Sequence, residues 1–536
     1  MNSYVQESFT TDEQDILRRY FTNLQGPVFA LVNLPEVVKG ALFARYSRSP
    51  KSLRRLFLDE FVDELDISGD HEIDATVGLK RAEKLYEKVF NEYGDDSVAQ
   101  LGGVHLACEQ ASNLLTKVLE RGRLMSYLEQ STRYISYDNR LQNGHYRYYR
   151  EPSILDSSLG ARYVGDMDRM FDTYGALNAP MSSYLSTLFP LSTGSSELAW
   201  KRSIRAQALD ALRGLLPAAS ISNVGLYGSG QSYEALILRM RSHELDEVRQ
   251  YGELILEELR KVIPSFLTRL DRPERGGKWV QYLTDKRIKI QQTSSKLLKV
   301  SSVDPSPTVQ LIQWDPEAEN KLVAAALFSQ VNISETQIDK LVSQMSTEEK
   351  LSILKAYEGE RTNRRHRPGR ALEQSFYKFE ILSDYGSFRD LQRHRMLSIE
   401  WQSLGIQHGF VLPQVVVDAG LGPQFEHCME RSISLYNLLK NDLGQDKAQY
   451  SVALAFRIRY SITMNAREAM HLLELRSSPQ GHPLYREIAQ QMHEQIKTIA
   501  GHKIIGEMMR FVDHSQSSLS RLKQEESAIA KARKSP

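Results

Sequence analysis

Apolar positions along this chain switch between a strand-like and a helix-like spacing, and the switch is made twice. Phe29-Ala30-Leu31-Val32 reads as a buried strand, and behind Leu34-Pro35 the spacing of Val37, Val38, Ala41, Leu42 and Phe43 turns helical. The couplet returns as Val309-Gln310-Leu311-Ile312 followed by Leu322, Val323, Ala326 and Leu327. Leu114, Leu115, Val118 and Leu119 predict another helix, and Arg133-Tyr134-Ile135-Ser136-Tyr137 alternates like a strand. Asn143-Gly144 marks a turn with Tyr146, Tyr148 and Tyr149 beyond it; an aromatic strand packed on its neighbours outweighs base stacking as their account. A helix is expected from Ser232 to about Leu270, broken near Pro264. Phe456 to Thr463 alternates with period two and predicts a strand. Asn465, with Glu468 three residues on, suits the start of a helix through Ala469, Met470, Leu472, Leu473 and Leu475 to Arg476, stopped by Ser-Ser-Pro-Gln-Gly-His-Pro.

The repetition extends to chemistry. Arg121, Arg123, Ser126 and Ser131 align without a gap on Arg393, Arg395, Ser398 and Ser403, at a constant offset of 272. Paired guanidiniums with a hydroxyl at fixed spacing suit a phosphate, and a solvated basic face is the competing reading. The chain therefore reads as a tandem duplication with domains at 1–275 and 276–515 and a charged tail at 516–536, the tail a solvated helix or a disordered end. The boundary falls in the charged, Ser- and Pro-rich connection Asp271 to Pro307, where some strand content is expected, and residues 151–209 have no evident counterpart in the second half.

Composition narrows the function class. Sixty-eight Lys and Arg against 67 Asp and Glu leave no global field for nucleic acid or a membrane surface, so any anion site is a local cluster. The basic run Arg45 to Arg55 reads as a surface loop and helix start, a phosphate patch being the weaker alternative. Cys108 and Cys428 are the only cysteines and lack metal-type spacing, and no metal is expected. A polar start, MNSYVQESFTTDEQ, and the lack of any long apolar run predict an unexported, cytoplasmic protein with no membrane partner.

Arg393-His394-Arg395 with Ser403 resembles the RHR-x7-S signature of the flavin-dependent thymidylate synthases (ThyX), and Glu129-Gln130-Ser131-Thr132-Arg133-Tyr134 resembles their E-x-S-x-R-Y segment. Ala211-Leu212-Arg213 through Pro217 resembles A-R-x-x-L-P, Leu372 to Phe376 the L-E-H-x-x-F strand entry, and Asn465-Ala466-Arg467 through Arg476 the N-A-R...L-R element. Two family histidines are replaced, by Asp95 beside the retained Ser97 and by Gln374. The resemblance implies an α+β fold of two tandem domains, each a central, mostly antiparallel sheet with flanking helices.

It also implies roles. Glu129, Ser131, Arg133 and Arg213 of the first repeat, with Arg393, would bind the nucleotide; Arg393, His394, Arg395, Asn465, Arg467, His471 and Ser97 would bind FAD; Arg476 would be catalytic at the pyrimidine carbonyl edge. His471 stands where the family has asparagine, with helix packing an equal alternative, and His482 either replaces a family histidine or ends a loop. Each repeat lacks what the other keeps. Trp401, Gly405 and Gln449 replace the second repeat's phosphate ligands, while Gly122, Ser229-Gly230-Gln231 and Met240 replace the first repeat's flavin and uracil ligands. A composite site of repeat 1 phosphate residues and repeat 2 flavin residues is the implied survivor, in a homodimer forming a pseudo-tetramer. The implied reaction is C5 methylation of dUMP to dTMP with methylenetetrahydrofolate and NADPH, needing no enzymic nucleophile. The alternatives are another uridylate such as UMP, a non-catalytic flavin- or nucleotide-binding scaffold, and an RNA-directed methylase, which neutral charge disfavours.

Overall fold

The structure is a computed structural model describing residues 4–34, 36–62, 102–193, 195–298 and 306–515, with residues 522 and 526. Asp95, Ser97 and the rest of the tail lie outside the described residues. Two four-stranded antiparallel sheets carry the framework. The first comprises β1 (Val28–Leu31), β2 (Gly103–Ser112), β3 (Met125–Glu129) and β4 (Ile221–Ser229) in the order β1-β2-β4-β3. The second comprises β5 (Val309–Trp314), β6 (Tyr377–Asp384), β7 (Ser398–Trp401) and β8 (Arg457–Met464) in the order β5-β6-β8-β7. One order repeated is the structural form of the duplication, and with the helices it gives the expected α+β fold. In β8 the period-two pattern buries Ile458, Tyr460, Ile462 and Met464 on one face and leaves Arg457, Arg459, Ser461 and Thr463 half-buried on the other.

Helices begin where strands end. In the first half α1 (Glu36–Tyr46) and α2 (Leu53–Glu60) follow β1, and α3 (Asn113–Leu119) starts on β2 with Ser112 as its cap. Then come α4 (Gly160–Leu188), α5 (Glu197–Leu212), α6 (Gly230–Arg241), capped by Ser229, α7 (Asp246–Arg260) and α8 (Lys278–Leu297). In the second half α9 (Ala318–Phe328) follows β5, α10 (Tyr385–Gln392) is capped by Asp384, and α11 (Gly422–Leu443) precedes β8. Asn465 caps α12 (Ala466–Arg476), and α13 (Pro483–Thr498) follows. The caps obey the repeat, Ser112 and Asp384 at an offset of 272, Ser229 and Asn465 at 236.

Several sequence expectations change. Arg133 to Tyr137 is turn and bend rather than strand: its alternation reflects Ile135 and Tyr137 plugging the core, with the Tyr137 hydroxyl donating to the Ile221 carbonyl at 3.0 Å. Tyr146 to Tyr149 form no strand either, only a single bridge from Tyr148 to Ser220. The aromatic packing holds, with Tyr146 and Tyr148 against Phe171 of α4 at 5.2 and 5.6 Å between ring centres. The helix expected from Ser232 to Leu270 is α6, α7 and a 3-10 turn at Pro264–Asp271, because the chain also breaks at 242–245. The connection holds the 20-residue helix α8 where strand content was expected, its apolar residues spaced for a helix. The 151–209 stretch does have a helical counterpart in Gln414–Asp418, α11 and Gln445–Ala448. The repeat offset falls from 272 to 236 across it, so the first half carries 36 more residues. Four of the five cations of the basic run are held by carboxylates, Arg45 by Glu60, Lys51 by Asp59, Arg55 by Glu7 and Glu13, and the fully buried Arg54 by Glu109 at 3.2 Å, while Arg48 lies over the Tyr134 ring.

By compactness the chain divides into two units that interleave its halves. Unit 1 is residues 1–177, 215–303 and 423–453; unit 2 is residues 178–214, 304–422 and 454–536. Each unit contains one sheet and takes in a segment from the other half, α11 and the turn after it in unit 1, α5 and Arg213 in unit 2.

Candidate active site

Unit 2 gathers a buried ionic cluster where β6 and β8 run into α10 and α12. Asp384, the last residue of β6, accepts from the Ser387 N–H at 3.0 Å and so starts α10. The other oxygen-bearing partner of that helix, Asp390, sits one turn before Arg393 and pairs with it. Arg213, at the end of α5 and only 4 % exposed, places its two amino groups 3.5 Å from Asp384 and 3.5 Å from Asp390. Gly386 makes room for it: a Cβ there would lie 2.9 Å from Arg213 Nε and 2.8 Å from Asp384 Oδ2. The turn is pinned by the backbone, Ala455 N–H donating to the Gly214 carbonyl at 3.0 Å.

Arg476, the last residue of α12, enters the same cluster. Its Nε–H donates to His394 Nε2 at 2.9 Å, an amino group lies 3.7 Å from Asp390, and its plane sits 5.5 Å from the Tyr485 ring centre. On the far side of the imidazole, His394 Nδ1 is 3.0 Å from Glu468 Oε1. Asn465 with Glu468 three residues on has the spacing of a capping box, in which each side chain bonds the other residue's backbone N–H; Asn465 Oδ1 does accept the Glu468 N–H at 2.9 Å, but the carboxylate turns to His394 instead of back to the cap. Burial pushes the Glu468 carboxyl up to about 7, against the pull of Arg367, Arg467, Arg395 and Arg476. Burial, then Arg476, His471 and Arg393, hold His394 far below its ordinary value, so its ring is neutral.

Around this cluster lie the other second-repeat residues. Arg395 is exposed, while Arg467, in the first turn of α12, donates to the Pro368 carbonyl at 3.2 Å and to Glu373 at 3.1 Å. His471, one turn on, meets Arg367 at 3.2 Å and stands 5.4 Å from the His394 ring; burial and Arg367, Arg364 and Arg476 lower it to about 4. His394, Glu468 and His471 offer ligand atoms within 4.8 Å of one another. Both His394 nitrogens are engaged, and the arginines around the three make the place suit an anion rather than a cation. His482 caps α13 and faces the Asp210 carbonyl at 3.1 Å.

Glu129, Ser131 and Arg133 lie together in unit 1 at the end of β3. Glu129 is buried 3.6 Å from Lys117, which also binds Glu120 at 2.6 Å. Ser131 N–H donates to the Ser47 carbonyl at 3.1 Å, and its hydroxyl accepts the Arg133 N–H at 3.3 Å. Unit 1 repeats the position of the unit 2 cluster with other chemistry: Met240, fully buried, stands where Arg476 does, and Ser112 replaces Asp384. There Glu247 accepts from Ser112 N–H at 2.8 Å, Ser112 Oγ at 2.6 Å and the Tyr450 hydroxyl at 2.9 Å, and burial pushes it up to about 7.

The structure thus joins Arg213, Arg393, His394 and Arg476, sets Arg395, Asn465, Arg467 and His471 around them, and groups Glu129, Ser131 and Arg133 in unit 1. Sequence reasoning missed Asp384, Asp390, Gly386 and Tyr485. Only Asp390 left a readable signal, an acid three residues before Arg393 on a helix.

Comparison with known proteins identifies the family. The sequence pattern described as thymidylate synthase complementing protein matches residues 42–265 and 310–501. A "UPF0159 protein" of Chlamydia pneumoniae is 38% identical over 97% of this chain and 98% of its own length. A flavin-dependent thymidylate synthase of Pyrococcus abyssi is 31% identical over 116 residues, 20% of this chain and 48% of its own length. A solved UMP/dUMP methylase from Streptomyces cacaoi, bound with 5-Br dUMP, aligns at 17% identity over 40% of this chain and 100% of its own, with a TM-score of 0.32. With the family pattern present in both halves and one sheet topology made twice, the chain belongs to the thymidylate synthase complementing proteins, the flavin-dependent thymidylate synthase family, in a tandemly duplicated form.

Proposed function

We propose that this protein methylates a uridylate at C5, with dUMP as substrate and dTMP as product, methylenetetrahydrofolate as carbon donor and NADPH as reductant. The observation that carries the reading is Arg213: a first-repeat residue that the family resemblance assigns to phosphate stands in unit 2, linked through Asp390 to Arg476 of the second repeat. That supports a composite of first-repeat and second-repeat residues; the resemblance alone adds Glu129, Ser131 and Arg133 as further phosphate ligands and a homodimer of tandem chains as the assembly.

The residues fit FAD by the chemistry of their donors. The exposed Arg395 and Arg467, in the first turn of α12, suit a diphosphate by charge, and Arg393, Asn465 and His471 complete the candidate set, with Ser97 assigned by resemblance alone. Bound there, FAD would supply the hydride transfer that the protein's own side chains cannot perform. The protein's part is positional. Arg213 would meet the substrate phosphate, and Arg476, held on two sides, would set its guanidinium against the pyrimidine carbonyl edge and oppose the negative charge that develops as C5 becomes nucleophilic. The site's burial strengthens that interaction over its value in water.

One observation favours the second reading, a nucleotide-binding protein without turnover: Arg213 faces two carboxylates, and Glu129 faces Lys117. Purified protein incubated with FAD, dUMP, methylenetetrahydrofolate and NADPH separates the two. dTMP formation is expected; nucleotide binding with no dTMP and no NADPH oxidation would leave the second reading standing.

A further inference from the structure

The resemblance hands His394 to the cofactor, but the geometry around it points elsewhere. An arginine Nε–H can only donate, so the 2.9 Å contact from Arg476 requires a lone pair on His394 Nε2. The single proton of the neutral ring is then on Nδ1, aimed at the Glu468 oxygen 3.0 Å away. Both ring nitrogens are used inside the protein, the side chain is 3 % exposed, and the Glu468 side chain is 7 % exposed. The opposite tautomer would set two N–H groups against each other.

We propose that His394 and Glu468 are positioning residues that hold the Arg476 guanidinium through a fixed imidazole tautomer, and that neither is a cofactor ligand. Glu468 accepts the Nδ1 proton, His394 Nε2 accepts from Arg476 Nε, and Asp390 and the Tyr485 ring restrain the remaining edge and face of the guanidinium. The three residues come from two places in the chain. His394 follows α10, while Glu468 and Arg476 sit eight residues apart on α12, so the imidazole ties the first turn of that helix to its last. The capping-box geometry that Glu468 gives up is what frees its carboxylate for this contact. Partners that orient a metal-bound imidazole change affinity or activity by about 10- to 100-fold when removed, and an effect of the same order is expected for an imidazole that orients a guanidinium.

The kinetic consequence rests on the uridylate-methylase reading above; the tautomer does not. Nitrogen-15 histidine spectra of the full chain, with the His394 signals identified by their loss in His394→Gln, are expected to show a neutral ring protonated on Nδ1. A ring protonated on Nε2, or on both nitrogens, would overturn the proposal whatever the protein catalyses. In steady-state assays at saturating FAD, Glu468→Ala and His394→Gln should lower kcat about 10- to 100-fold while the FAD Kd stays within about threefold of the parent. Glu468→Gln, which keeps an acceptor oxygen for the Nδ1 proton, should retain most of kcat. A tenfold or greater rise in the FAD Kd with kcat unchanged at saturation would return His394 to the cofactor and sink the positioning role. If the parent protein forms no dTMP, the methylase reading falls and the spectra alone decide the tautomer.

Discussion

At the scale of single residues the candidate site is a matter of who neutralises whom. Arg213, Arg393 and Arg476 share Asp390, and Arg213 has Asp384 besides. Three guanidiniums in a buried place repel one another, and two carboxylates make their approach tolerable. Arg213→Ala is therefore expected to do two things at once: abolish nucleotide binding, and destabilise unit 2 by about 3 kcal/mol by stranding Asp384. Isothermal titration with dUMP reads the first and urea unfolding the second; unchanged unfolding would mean Asp384 finds another partner. Gly386→Ala attacks the same contact from the backbone side, since its Cβ would meet Arg213 Nε at 2.9 Å. It should cost about 1–3 kcal/mol and weaken dUMP binding although it touches no ligand, which the same two measurements test.

At the scale of elements, strands deliver residues and helix starts orient them. Asn465 sets the first turn of α12, on which Arg467, Glu468 and His471 stand, so Asn465→Ala should lose about 1 kcal/mol and loosen that face. In unit 1 the matching strand end is sealed by Glu247, Ser112 and Tyr450. Glu247 lies well above the ordinary 4.5 of a glutamate, at about 7, because burial outweighs its three hydrogen bonds. A carboxyl raised by folding stabilises below its unfolded value and loses that contribution as pH climbs through its folded one. Between about pH 4.5 and pH 7 unit 1 should therefore lose on the order of 3 kcal/mol from this group. Melting curves across that window should show the decline in the parent and its flattening in Glu247→Gln.

At the scale of the whole chain, the two halves differ in which residues they carry at matching positions. Unit 2 keeps the arginine and histidine set, whereas unit 1 has Met240, Gln231 and Gly122 at the matching positions. Flavin absorbance per mole of chain should accordingly approach one rather than two. Gln231→Ala should change neither flavin content nor turnover, whereas Arg467→Ala should lower flavin content; equal loss in both would argue for two working sites. Among the described residues no helix is long and apolar enough to cross a membrane.

Much of this was legible in the linear chain. The period-two run of β8, the Asn465 cap and the 272-residue offset are local or repetitive signals, and local hydrogen bonding and side-chain periodicity act over a few residues, so they survive in the sequence. The linear chain is enough for the duplication, the fold class, the family and most of the clustered arginines. Packing in three dimensions is what makes Asp384 and Asp390 bind Arg213 across more than 170 positions, turns Glu468 to His394 and away from its own helix cap, and leaves Ile135 and Tyr137 alternating without making a strand. A carboxylate's partner depends on which guanidinium the packed helices carry to it, and burial makes that choice binding by raising the cost of any unpaired charge.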